Sequence, residues 1–138
     1  MRKIVLISCV SKKLPYKAQA KDLYISPLFK LNLKYGYKLE PDDIYILSAK
    51  YGLLELNQEI EPYDLTLNNM SSGQIKFWAI DVLKELKKRA NLDHDHFIFL
   101  AGQKYRKYLI QHIGSVEIPL QGLTIGKQLQ LLKRKLDE

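Results

Sequence analysis

The sequence predicts an α/β domain: a mainly parallel sheet of roughly four strands with helices on both faces, a single three-layer unit over residues 1–138. Three observations carry that expectation. Short apolar runs alternate with longer amphipathic segments, the order that builds a parallel sheet. The first run, Ile4-Val5-Leu6-Ile7, is apolar without alternation, as in a strand buried on both faces. A chain of 138 residues, 46% hydrophobic and 27% charged, suffices for one ordinary core and excludes disordered and fibrous classes.

The elements follow in order. After the first strand and a basic loop, Ser26-Pro27 opens a helix, with Ser at the N-cap and Pro at the first helical position. It is predicted to run to about Tyr35, with Gly36 as terminator. Ile44-Tyr45-Ile46-Leu47 is the second strand. From Ala49 to Met70 no strong period appears, which marks a functional segment or a hidden hairpin. Ser71 and Gln74 form a capping-box pattern before a helix whose apolar stripe is Ile75, Trp78, Ala79, Val82, Leu86 and Ala90. Phe97 to Leu100 is the third strand, then comes a helix from about Gln103 to His112, and Val116 to Ile118 is a short fourth strand. The last helix places Ile125, Leu129, Leu132 and Leu136 on one face.

In such a sheet, ligands sit outside the carboxyl ends of the strands, so the loops after each strand contain the candidate residues. The first loop offers Ser11, Lys12 and Lys13, two cations and a hydroxyl suited to an anion. Cys9 reads either as a nucleophile favoured by the nearby lysines or as a small buried residue ending the strand. Tyr16, Tyr24 and Ser26 lie farther along the same connection. Beyond the second strand stand Ser48, Lys50 and Tyr51, where Gly52 can turn the chain and Tyr51 can stack on a base or roof the core. Asp64, in the turn Glu61-Pro62-Tyr63-Asp64, is the preferred general base, and a turn aspartate is its plainer reading. Gly102, Gln103 and Tyr105 mark a strand-to-helix turn with open N–H donors, and Gln121-Gly122 closes the set. His94 and His96 flank Asp95 at the amino end of a strand, away from that edge, so no metal is expected there, and no cofactor motif appears.

Lys+Arg number 22 against 15 Asp+Glu, a formal net charge of +7, which suits a nucleic acid, a nucleotide or a phosphorylated metabolite. Much of the excess lies on wet helix faces and at helix ends (Lys87, Lys88, Arg89, Lys133, Arg134, Lys135), where the macrodipole favours cations without any partner. Lys12, Lys13, Lys50 and Lys104 fall instead at the carboxyl edge and predict a compact anion pocket. One cysteine cannot form an internal disulfide, and no apolar run has bilayer length. The expectation is a cytoplasmic protein with no membrane partner; the oligomeric state is left open.

Five blocks together resemble a bacterial and phage domain family of unknown function: Cys9 to Lys13, Tyr24 to Phe29, Leu47 to Leu53, Pro62 to Leu67 and Pro119 to Gly126. In this chain Val10 stands between the cysteine and Ser11. More distantly, Pro15-Tyr16 is similar to a Pro-Tyr pair in the corresponding loop of the uracil-DNA glycosylase superfamily and of the archaeosine synthase middle domain. That likeness implies a Rossmann-like or glycosylase-like sheet and a nucleobase-handling site. The glycosylases carry an acidic residue before the pair, where this chain has Leu14.

The expected function is therefore a nucleotide-, nucleoside- or nucleobase-handling protein, with an enzyme acting at an N-glycosidic bond or in nucleobase modification as its sharpest form. Ser11, Lys12, Lys13 and Ser48 would hold phosphate or sugar, Tyr16, Tyr24 or Tyr51 would stack the base, and Asp64 would orient water, with Lys13 and Ser11 assisting. The alternative is a non-enzymatic nucleic-acid-binding domain gripping phosphates with its helix lysines.

Overall fold

A computed structural model describes residues 1–138. Strand β1 (Lys3–Ser8) lies at the centre of the main sheet; Ile4, Val5, Leu6 and Ile7 are fully buried, so both of its faces are covered. The chain then forms β2 (Ala18–Gln19), a single turn α1 (Ala20–Leu23) and helix α2 (Pro27–Lys38). Strands β3 (Asp43–Ser48), β4 (Gly52–Glu55) and β5 (Glu59–Ile60) follow, then a 3-10 turn (Leu67–Asn69) and α3 (Ser72–Lys87). The remainder is β6 (His96–Leu100), α4 (Gln103–Ile110), β7 (Ser115–Glu117) and α5 (Ile125–Leu136).

Five strands, not four, make the main sheet, in the order β4-β3-β1-β6-β7. β3, β1, β6 and β7 run parallel, while β4 pairs antiparallel with β3 from Tyr45–Glu55 to Ser48–Gly52. This hairpin is the structure concealed in the aperiodic stretch after Ser48. Gly52 makes its turn at φ +72°, a conformation that a Cβ disfavours. β2 and β5 form a separate two-stranded ribbon, Ala18 opposite Ile60 and Gln19 opposite Glu59.

Helix α2 starts at Ser26, whose Oγ accepts from Phe29 N at 3.2 Å. It does not stop at Gly36. The helix runs two residues further, and Gly36 is buried against Val5 and Ile44. The capping box at Ser71 and Gln74 is present in both directions. Residues Val5 and Ile7 face α2, which packs on α5; the opposite face is covered by α3, which packs on α4. Of the predicted stripe on α5 only Leu132 is fully buried, and Ile125 is 65% exposed. No helix is long and apolar enough to cross a membrane.

Candidate functional site

The direction of the chain changes at the middle of the sheet. β1 is followed by β3 on one side, and β6 by β7 on the other, so the helices after β1 and β6 diverge and leave a crevice between the two carboxyl ends. A cleft of about 750 Å³ opens there. Ser8 and Cys9 enter it from β1, Ala101 and Gly102 from the turn after β6, and Asp64 to Thr66 from the long connection that precedes α3.

Main-chain pairing sets the first loop. Leu14 N bonds Leu23 O at 2.9 Å, Ile25 N bonds Lys12 O at 3.0 Å, and Lys13 bridges antiparallel to Tyr24. The ribbon β2–β5, with Ala20 N on Gln58 O and Lys21 N on Leu56 O, ties the same segment to the region after β4. These bonds bring Lys13 above two aromatic rings. Its Nζ lies 4.3 Å from the Tyr63 ring centroid and 5.8 Å from that of Tyr24. Burial pushes the Lys13 ammonium below the usual lysine range, and the nearby Cys9 and Asp64 oppose that shift without cancelling it.

Behind Lys13 runs a buried chain of hydroxyls. Ser48 Oγ and Tyr24 OH each lie 2.7 Å from Tyr63 OH, and Ser48 Oγ also accepts from Tyr51 N at 3.0 Å. The Trp78 indole donates to the Ser48 carbonyl at 2.8 Å, which fixes the end of β3 against α3. Burial raises the hydroxyl pKa of Tyr24 and Tyr63 well above the ordinary tyrosine value, so both stay protonated. The Cys9 thiol donates to Tyr105 OH at 3.4 Å, and burial also raises the Tyr105 hydroxyl.

Helix α4 begins at Gly102 with no side-chain cap, so its first N–H groups remain open where Gln103 and Lys104 line the cleft. Lys13, Lys104 and Arg106 stand against one carboxylate, Asp64, among the charged residues lining it. Arg106 donates to Ala101 O at 2.8 Å, and burial lowers its pKa. The combined field favours an anion. On the other wall Leu28, Leu120, Leu123 and Ile125 are apolar. Asn32 stands among them, 5% exposed, and its Oδ1 has no hydrogen-bond partner. An unpartnered buried acceptor costs about 1–3 kcal/mol, which makes this position exceptional in the molecule.

The cleft thus gathers Cys9, Ser11, Lys13, Asp64, Gly102, Gln103, Tyr105 and Gly122 from the candidates named by sequence. The others lie elsewhere. Tyr24 and Ser48 form the buried hydroxyl chain behind Lys13, and Tyr51 packs edge-on to Tyr63 with its hydroxyl on Glu61 O. Ser26 is taken up by capping α2. Lys12 and Lys50 are exposed and do not line the cleft; Lys50 instead hangs over the Tyr51 ring at 5.4 Å. Tyr16 is 60% exposed, and Gln121 sits in the turn after Leu120, outside the cleft.

Sequence reasoning missed Asn32, Arg106 and Tyr63. Asn32 had a visible signal: it is the one strongly polar side chain on the buried face that also carries Phe29 and Gly36. At the opposite edge of the sheet, a shallower depression of about 850 Å³ includes Arg2, Arg89 and Asp95. These three are already engaged: Arg2 pairs with Asp43, Arg89 with Glu85, and Asp95 accepts from Arg2 N and Asn91 N. Asp95 consequently has a lowered pKa, mainly through the Asn91 amide. His96, read with His94 as strand punctuation, is bound to Ser115 Oγ at 2.6 Å and Glu117 at 3.1 Å.

The fold and cleft define an α/β protein with a crevice of mixed polar and apolar lining at the carboxyl edge of a mostly parallel sheet. Residues 4–134 match the model of a family of unknown function, DUF6884, and the chain belongs to that family. No functionally curated protein matches it.

Proposed function

We infer that this cleft binds a small phosphorylated, nucleobase-containing ligand, a nucleotide or nucleoside, and that the chain acts on it at the N-glycosidic bond. One observation carries the reading: a single crevice joins an anion-attracting end, built from Lys13, Lys104 and the open start of α4, to an apolar wall that holds a polar group. A phosphate fits the first and a heterocycle the second. Asp64 is the carboxylate on the cleft and is reachable by water, so it can take a proton from an attacking water.

Calorimetric titration with nucleoside monophosphates and with inorganic phosphate tests binding, and chromatographic detection of released base tests the reaction. The expected results are tighter binding of at least one nucleotide than of phosphate, and release of its base. Equal affinity for nucleotides and phosphate would refute the reading.

A further inference from the structure

We propose that Asn32 reads the base: the ligand lies with its phosphate at the start of α4 and presents a base edge to the Asn32 carboxamide. This deepens the nucleotide reading above and rests on it. Buried carboxamide oxygens are nearly always bonded, yet Asn32 Oδ1, in a side chain that is 5% exposed, has no partner and lines the same cleft as Lys13 and Gly102. A buried acceptor without a partner beside a cleft calls for an N–H donor from whatever fills the cleft. Gln128, the other carboxamide on the wall where α2 meets α5, already has its Nε2 engaged by Leu123 O at 2.9 Å. On that wall Asn32 is therefore the carboxamide with an unpaired buried oxygen.

The surroundings narrow the ligand's chemistry. Leu28, one helical turn before Asn32, joins Leu120 and Leu123 in a wall without charge. Ile125 and Leu65, which also line the cleft, remain 65% and 45% exposed. Large apolar side chains left open at a cleft are covered by a ligand with apolar faces. A simple organic anion has no such faces, and a sugar has only a C–H face rimmed by hydroxyls. An aromatic heterocycle has them, and its rim sets N–H donors beside acceptors, the pattern that a carboxamide complements two bonds at a time. The distribution of charge sets the polarity: Lys104, Arg106 and the open helix N–H groups belong to α4, while Leu28 and Ile125 belong to α2 and α5.

The test compares the wild-type chain with Asn32→Leu, a substitution of similar volume that removes the unpaired acceptor. Adenosine, guanosine, cytidine and uridine monophosphates and inorganic phosphate are titrated into each. The wild type is expected to rank the nucleotides, and Asn32→Leu to lose about tenfold or more on the preferred one while phosphate affinity stays the same. As a measurement that needs no folded variant at equal stability, the Asn32 side-chain amide NMR signal of the wild type should shift on adding the preferred nucleotide and stay still with inorganic phosphate. An unchanged nucleotide ranking in a folded Asn32→Leu, or an amide signal that does not move at saturation, overturns the role of Asn32 and leaves the nucleotide reading standing. A wild type that binds no nucleotide better than phosphate overturns both.

Discussion

The Tyr63 hydroxyl lies 2.7 Å from Ser48 Oγ and joins the end of β3 to the turn that carries Asp64. Tyr24 OH closes the chain from the other side at the same distance. Ser48 is fully buried and Tyr24 is 1% exposed, so neither hydroxyl has water as an alternative partner. The position of Asp64, one residue from Tyr63, is thereby tied to the sheet rather than left to a loop.

Tyr63→Phe keeps the ring beneath Lys13 and removes only the hydroxyl. Tyr24 then loses its partner and Ser48 keeps only Tyr51 N. A loss of about 1–3 kcal/mol in denaturant unfolding is expected. Unchanged stability would show that the hydroxyl chain holds nothing.

The lowered Lys13 pKa gives anion binding a pH signature. Lys13 loses its proton below the ordinary lysine value of 10.5, so affinity for inorganic phosphate should fall as pH rises toward that value. Lys13→Arg stays charged through the same window, and its affinity should remain flat there. The sign for stability is the reverse: the unfolded chain holds this proton more tightly, so burial of Lys13 destabilises the fold less as pH rises. Parallel pH profiles for the two proteins would show that Lys13 does not face the anion.

Asp64→Asn should abolish base release while leaving nucleotide affinity within about threefold, because the amide keeps the shape and loses the basic oxygen. Release at the wild-type rate would remove Asp64 from the reaction.

Gly114 meets the loop before β6 at close range. A Cβ there would stand 2.7 Å from the Asp93 carbonyl oxygen, and Gly114 N also bonds Leu92 O at 2.9 Å. Gly114→Ala should cost about 1–3 kcal/mol, read as a lowered Tm, since backbone rather than a flexible side chain must give way. This position is remote from the cleft, so phosphate binding by the folded variant should be unchanged.

Much of the fold is legible along the chain because its signals are local. Ile4 to Ile7 carries no alternation since it is buried on both faces, and Ser26-Pro27 and Ser71 with Gln74 cap their helices through bonds three residues long. The hairpin at Gly52 was hidden because its strand is four residues long and its pairing depends on β3. Gly36 did not end its helix because burial against Val5 and Ile44 outweighs its poor local propensity.

The candidate site divides along the same line. The sequence by itself determined that Ser11, Lys13, Gly102 and Gln103 fall at the carboxyl edge, since strand order and loop position follow from local pattern. Only the tertiary structure decided which of its neighbours share the cleft. Lys12 and Lys13 are adjacent, yet only Lys13 lines it, because the bridge to Tyr24 fixes where that side chain stands. Ser48 and Tyr24, distant in the chain, meet at Tyr63 behind the cleft rather than in it. Ile125 looks like core on a helical wheel and lies open at the cleft, while Asn32, on the buried face of α2, is left there without a partner. Those outcomes depend on how α2 meets α5 and how loops far apart in sequence pair through their main chains, contacts that no local pattern encodes.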